Sequence, residues 1–342
     1  MQDHEFFMNE CLLIAEKGKG NVSPNPMVGC VIVAKGKIIG QGYHKQYGKE
    51  HAEANAILSV SNKELLKEST LYVNLEPCAH FGNTPPCANL IIKNQIPKVV
   101  IGCIDVFPKV SGKGIEIMKN AGIKITYGIL KNSCNKLNKR FITFHTKKRP
   151  YILLKWAESN DGFIAPENQT SSFWMTSNES KELVHKYRAE EDAILIGRKT
   201  VEKDNPLLTV REIKGRNPIR IIIDPLLRLK KNFNIFNNES DTLIFNYILD
   251  KEEGNNHFIK VKKNKIIEEV MKILYAKNIQ SIIIEGGRAT IQNFIDNNIW
   301  DEARVFVTNK KLLNGVIAPK IKGKIISRYK SGVDELINYK YD

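Results

Sequence analysis

The sequence holds 342 residues, 42% apolar and 26% charged, the balance of a globular chain long enough for two domains of ordinary size. No run reaches the ~18 apolar residues a membrane-spanning helix needs, and the amino-terminal stretch opens on acidic residues without a basic leader, so a cytoplasmic chain with reduced thiols is expected. The net charge of +15 comes from basic residues scattered among acidic ones, with short clusters at 147–149, 230–231 and 262–265, and defines no continuous patch for nucleic acid.

In chain order, Phe6, Phe7, Cys11, Ile14 and Ala15 recur at helical spacing and predict an opening helix over residues 3–17. After the loop SPNPM, the runs VGCVIVAKG and KIIGQGY predict two strands turning at Lys35–Gly36. HAEANAILSV reads as a helix whose first turn carries His51 and Glu53. TLYVNLEPC is a predicted strand that runs into the segment EPCAHFGNTPPC, and CANLIIKNQI is the helix after it. KVVIGCID, GIEIMKNAG and KITYGIL then predict strand, helix and strand. RFITFHTKKRP, ending at Pro150, has the composition of a connector. A new series follows: strand YILLKWA, helix SKELVHKYRAE, strands DAILIG, PIRIIID and DTLIFNY, helix IIEEVMKILYAKN, strand SIIIEGG, helix TIQNFIDNN and strand EARVFVT. The alternation predicts an α/β fold in two domains, residues 1–146 and 150–342, with little pattern over 311–342.

The first half carries a metal-ligand constellation. Imidazole and thiolate are good zinc ligands, and His51, Cys78 and Cys87 make the three protein ligands of an open, catalytic site. Glu53 stands about 200° round a regular helix from His51, free to address a metal-bound water. Each cysteine follows a proline where a helix is expected to begin, and a helix dipole there lowers a thiol pKa. A reducing compartment disfavours a disulfide. A closed structural zinc site with His80 as fourth ligand, and a buried histidine beside two core cysteines, are the alternatives. His-x-Glu followed by Pro-Cys and a second cysteine is the general form of the zinc nucleobase deaminases. In those enzymes zinc acidifies a water and the glutamate passes its proton to the departing ammonia.

Eight residues, rather than the general two, separate Cys78 from Cys87. With that spacer, SPNPMVGCVIV, HAE and EPCAHFGNTPPC resemble the deaminase half of the RibD family, bifunctional pyrimidine deaminase/reductases of riboflavin biosynthesis. The resemblance implies a cytidine-deaminase-like αβα domain in which Asn25, His44 and His80 help to hold the substrate. Asn83 stands where the family commonly has a Lys or Arg against the substrate phosphate. On the residues alone, Asn25 reads as an Asn-Pro turn and His44 as a strand-end residue.

In the second half, SIIIEGGRAT is a strand passing through Gly286–Gly287 into a helix whose first N–H groups can hold phosphates, or simply a turn. It is not GxGxxG, so a Rossmann domain is not indicated. The succession KWAESNDGFIA, SSFWMTS, Arg188, DAILIGRKTVEKDNPLLTVR and IIIEGGRAT resembles the NADPH-dependent reductase half of the same family, a dihydrofolate-reductase-like α/β domain. By that resemblance Trp174, Thr200, Asp204, Gly286 and Gly287 line the cofactor site, and Glu158 meets the nicotinamide through its backbone. Arg288 either reaches the cofactor 2′-phosphate or is a solvated helix-start residue. Ser172, Arg188, Leu208, Arg211 and Glu285 face the ribosyl-phosphate substrate, and Lys155 and Asp161 are candidates for proton transfer.

The implied function is zinc-dependent deamination of 2,5-diamino-6-(5-phosphoribosylamino)pyrimidin-4(3H)-one, then NADPH-dependent reduction of the ribosyl to the ribityl chain. The expected partner is that small molecule, with no nucleic acid and no membrane, in a homo-oligomer (dimer or tetramer). A nucleic-acid deaminase is the rival in the same class, but base deamination needs no hydride and leaves the second half without a purpose. A zinc-stabilised binding protein is the rival outside it.

Overall fold

A computed structural model describes residues 3–79, 85–107, 110–167 and 173–341. The chain divides into two units at Lys147/Lys148, and each has its own sheet. In the first, the Val- and Ile-rich runs form β1 (Gly29–Ala34), β2 (Lys37–Tyr43), β3 (Thr70–Leu75), β4 (Lys98–Cys103) and β5 (Lys124–Tyr127). Their order is β2-β1-β3-β4-β5, with β1 antiparallel to both neighbours and β3, β4 and β5 parallel. Among the described residues six α-helices accompany them: α1 (His4–Ala15), α2 (Ala52–Ser59), α3 (Cys87–Lys93), α4 (Lys113–Asn120), α5 (Lys131–Leu137) and α6 (Lys139–Lys147). Alternate strand residues point to opposite faces. Thus Ile32, Leu71 and Ile101 pack with α2, α3 and α4, while Val31, Tyr72 and Val100 pack with α1 and α5.

Helix α2 rests directly on the glycines of β2. A Cβ on Gly42 would lie 2.3 Å from the backbone nitrogen of Ala56, and one on Gly40 would lie 2.7 Å from the Ala56 carbonyl oxygen. Gly42→Ala is therefore expected to push α2 off the sheet and destabilise this unit by ~1–3 kcal/mol. The denaturant midpoint of the first unit reads it, and an unchanged midpoint contradicts this packing.

The second unit has one ten-stranded sheet. Its strands are β6 (Tyr151–Glu158), β8 (Ala193–Gly197), β9 (Ile219–Ile223), β10 (Thr242–Asn246), β11 (Lys251–Glu253), β12 (Asn256–Lys260), β13 (Ser281–Gly286), β14 (Glu302–Val307), β16 (Lys324–Ser331) and β17 (Asp334–Lys340). A separate pair is formed by β7 (Phe163–Ala165) and β15 (Val316–Ile317). The order is β11-β12-β10-β9-β8-β13-β6-β14-β17-β16, parallel from β12 through β14 and antiparallel at both margins. Helices α7 (Asn178–Glu190) and α8 (Arg198–Asp204) cover one face, and α9 (Ile266–Ala276) and α10 (Arg288–Asp296) the other. Burial on both faces is why these strands read as unbroken apolar runs. The chain leaves β6, builds outward from β8, and returns to insert β13 between β8 and β6. A crevice at the carboxyl ends of such strands is where open α/β sheets bind ligands.

Two expectations need correction. Residues 139–147, which take in most of the expected connector at 140–150, form helix α6, because Phe141 and Phe144 share a face and are buried, with His145 ringed by Phe107, Phe141 and Phe144. Residues 324–340, which carry little pattern, form the hairpin β16–β17 at the sheet margin. Its tight turn sets Gly332 at φ +59°, and seven of the eight β16 residues are exposed, which erases the alternation that marks a strand.

Candidate active sites

In the first unit, His51 is the cap residue of α2, in extended conformation, and Glu53 lies in the first turn behind it. Cys87 opens α3 behind Pro86. Cys78 was expected at a helix start, but in the described residues it lies on extended chain leaving β3. The helix that serves it is α3, whose first N–H, from Cys87, donates to the Cys78 sulfur at 3.3 Å. His51 Nδ1 lies 3.5 Å from Cys78 Sγ and 3.4 Å from Cys87 Sγ. Hydrogen bonds from Cys87 and His51 pull the Cys78 thiol down to about 4, while Cys87 is pushed up by Cys78 and by burial. Among the described residues these three form the one group of His, Cys, Asp or Glu with metal-ligand spacing, their donor atoms all within 4.8 Å of one another. One imidazole nitrogen and two sulfurs are a donor set that fits zinc.

Glu53 is buried beside this triad and hydrogen-bonded to Cys87, and burial pushes its carboxyl up to about 7. His44 stacks edge-on to His51 at 5.3 Å. Its Nδ1 donates to the Glu50 carbonyl (3.0 Å), leaving Nε2 to accept from the Asn25 amide (3.0 Å). Asn25, His44, His51, Glu53, Cys78 and Cys87 therefore share one site. His80 and Asn83 lie outside the described residues. Asn74 escaped the sequence reading although its signal was present, a polar residue within an apolar strand. Its side chain accepts from Gly29 N–H and, with Asn138, donates to the Met27 carbonyl, pinning the loop that carries Asn25.

In the second unit, Glu285 near the end of β13 pairs with Arg188 of α7 through two parallel bonds, Nε–Oε1 2.8 Å and Nη2–Oε2 2.7 Å. Lys155 of β6 stands 3.9 Å from the same carboxylate, its Nζ 5.7 Å from the Phe306 ring centre. Burial would raise the Glu285 carboxyl, but Arg188 and Lys155 hold it down at about 2. Burial lowers Lys155 below the usual lysine value. His185, one turn before Arg188, is a residue the sequence reading missed. It is buried, its Nδ1 accepts the Arg211 N–H (3.1 Å), and its Nε2 has no hydrogen-bond partner among the described residues. Burial, with Arg188 and Arg211 nearby, pushes it down to about 4 and keeps it neutral.

Gly287 has φ +73° and leads into α10, which no side chain caps. A Cβ on Gly286 would meet Ile196 at 2.7 Å and Thr200 at 3.0 Å, and one on Gly287 would meet Thr200 Oγ1 at 3.1 Å. Thr200 thus borders a cradle of bare backbone N–H groups at a helix start, which fits the phosphates of a dinucleotide. Glu158 is half-buried and accepts from Trp156 Nε1 (2.7 Å). Asp204 closes α8, and Arg288 is exposed at the start of α10. Trp174 is 48% exposed with Lys181 Nζ 5.8 Å from its ring centre. The Leu208 side chain packs into the core with Val184 and Val201, so only its backbone can face a ligand. Asp161 accepts from Ser159 Oγ (2.6 Å) and from the N–H groups of Leu312 (3.1 Å) and Leu313 (2.8 Å), and is tied into that turn. Ser172 lies outside the described residues.

Comparison with known proteins follows the same division. Residues 1–103 match the cytidine and deoxycytidylate deaminase zinc-binding region, and residues 150–313 match the RibD C-terminal domain. The riboflavin biosynthesis protein RibD of Aquifex aeolicus is 40% identical over 94% of this chain and 88% of its own length. That of Bacillus amyloliquefaciens is 38% identical over 93% and 87%. The crystal structure of the Thermotoga maritima diaminohydroxyphosphoribosylaminopyrimidine deaminase/5-amino-6-(5-phosphoribosylamino)uracil reductase superposes with a TM-score of 0.90, at 36% identity over 99% of both chains.

Proposed function

The chain belongs to the RibD family of riboflavin biosynthesis proteins, and from that membership we propose how its residues divide the chemistry. It is a bifunctional deaminase/reductase that uses zinc and NADPH. We assign residues 1–146, the cytidine-deaminase-like αβα domain, to hydrolysis of the 2-amino group of 2,5-diamino-6-(5-phosphoribosylamino)pyrimidin-4(3H)-one. Residues 150–342, the dihydrofolate-reductase-like α/β domain, then reduce the ribosyl of the resulting uracil to ribityl. The observation that carries the assignment is the meeting of His51 Nδ1 with the Cys78 and Cys87 sulfurs beside the buried carboxylate of Glu53.

His51, Cys78 and Cys87 would hold the zinc, which when bound makes a hydroxide-like nucleophile available near neutral pH. Glu53 takes the proton of the attacking water and returns it to the departing amine. The His44–Asn25 bond turns the amide nitrogen of Asn25 inward and offers its oxygen to the N–H groups of the pyrimidine. His80 and Asn83 complete the substrate contacts.

In the second domain NADPH supplies the hydride. Gly286 and Gly287 would hold its phosphates, and Trp174, Thr200, Asp204, Arg288 and the backbone of Glu158 would line the rest of its site. Arg211, and Arg188 through the Nη1 edge that its bidentate pairing with Glu285 leaves over, are assigned to the ribosyl phosphate, with Ser172, Leu208 and Glu285 bordering it. Lys155 donates the proton to the sugar oxygen released on reduction, while Asp161 holds the turn at residues 159–163 against residues 312–313.

Dialysis against a zinc chelator is expected to abolish ammonia release, while the same sample still oxidises NADPH when given 5-amino-6-(5-phosphoribosylamino)uracil. Deamination that persists in metal-free protein refutes the assignment. A cytoplasmic location is supported by six cysteines of which none is joined in a disulfide. Assembly as a homo-oligomer, dimer or tetramer, is supported by Ile325, Ile326 and Tyr329 exposed on the margin strand β16. Sedimentation velocity reads the size, and a monomer refutes it.

A further inference from the structure

Glu76 is a carboxylate only 3% exposed that neither reaction uses. Each of its oxygens accepts two backbone N–H groups. Oε2 takes those of Asp105 (3.2 Å) and Gly112 (3.0 Å), and Oε1 those of Gly114 (3.0 Å) and Ile115 (3.3 Å). Gly112, Gly114 and Ile115 are the cap and first turn of α4, which has no side-chain cap at its own Gly112. The anion thus sits at the positive end of that helix and fills the four acceptor sites of a carboxylate. The Glu76 N–H also donates to the Cys103 carbonyl (3.0 Å). One residue further on, the Pro77 carbonyl oxygen lies so close to Gly114 that a Cβ there would be 2.1 Å from it. Cys78 comes next. His51 caps α2 and Cys87 begins α3, but Cys78 has no helix or strand around it in the described residues. Its carbonyl accepts from the Ala88 N–H of α3 (3.1 Å), and the two residues leading into it are held by the seam that Glu76 and Pro77 make with α4.

We infer that Glu76 is a positioning residue of the metal site, clamping residues 76–78 to α4 so that the Cys78 sulfur meets His51 and Cys87 at metal-ligand spacing. The inference rests on the proposed ligand triad. A carboxylate suits the task and an amide does not: Gln keeps one acceptor oxygen but turns its NH2 toward two backbone donors. Residues that orient metal ligands typically change metal affinity by ~10–100-fold when replaced.

The test is competition for zinc between the full-length chain and a chromophoric chelator. Glu76→Gln is expected to weaken zinc binding ~10–100-fold, with the NADPH-dependent reductase rate of the same sample unchanged. Gly114→Ala, which forces the same seam apart from the α4 side, is expected to weaken it as well. Met8→Ala opens a cavity on the opposite face of the sheet, and is expected to lower the melting temperature without altering zinc affinity. Cys78→Ser checks the triad. Parental zinc affinity in Glu76→Gln, with Cys78→Ser impaired, overturns the inference and leaves the triad standing. Parental affinity in Cys78→Ser overturns both. An equal loss in Met8→Ala reduces Glu76 to general stability and also overturns it. If Glu76→Gln does not fold, Gly114→Ala decides, and parental affinity there overturns the clamp.

Discussion

Glu53→Gln is expected to lower ammonia release by ~10²–10⁴-fold, with zinc content and NADPH-dependent reduction of the deaminated nucleotide at parental levels. The exchange preserves size and packing at a position with almost no solvent contact, next to Cys87. What it removes is a group able to take a proton and give it back, worth ~3–5 kcal/mol of barrier at that fold-change. Retained zinc reports that the first unit is folded, and the reductase, in the other unit, is the internal control for the amount of active protein. A deaminase rate within a few-fold of the parent, at equal zinc, would leave Glu53 without its catalytic role.

Arg188→Leu is expected to destabilise the second unit by ~3–5 kcal/mol, because it strands a carboxylate that is 7% exposed. Lys155, at 3.9 Å, is then the remaining nearby cation on Glu285 in place of a bidentate partner. The same pair sets a pH dependence. The Glu285 carboxyl is held at about 2, against 4.5 for an ordinary glutamate, so its contribution is fully present above pH 4.5 and is lost as pH falls through about 2. Across that window the parent should lose about 3 kcal/mol from this group, and the variant distinctly less. All three tryptophans, Trp156, Trp174 and Trp300, lie in the second unit, so urea unfolding followed by their fluorescence reads it alone. Parallel pH profiles for parent and variant would contradict the assignment of the acid sensitivity to this pair.

Strands buried on both faces, such as YILLKWA and SIIIEGG, were legible in the sequence because two layers of helix demand unbroken apolar runs. That His51, Cys78 and Cys87 come together was legible for a chemical reason: one histidine and two proline-flanked cysteines are a donor set suited to a metal. Where elements were obscure, their stabilising contacts come from elsewhere in the chain. Helix α6 hides its periodicity among β-branched and aromatic residues, and β16 stays extended through its partner β17. His185, Asn74 and Glu76 escaped notice because their partners are backbone groups far away in sequence, at Arg211, Met27 and the start of α4. Local pattern cannot announce such bonds. Cys78 was placed at a helix start by its proline, yet it lies on extended chain, and the helix whose N–H reaches its sulfur is α3.

Deamination and then reduction of the same nucleotide are carried out by one chain. The most direct test supplies the purified protein with 2,5-diamino-6-(5-phosphoribosylamino)pyrimidin-4(3H)-one and NADPH, and follows ammonia and NADPH together. Ammonia is expected to appear first, and NADPH then to be consumed mole for mole with it, ending in the ribityl product. Ammonia without NADPH oxidation, or NADPH oxidation without ammonia, would contradict this.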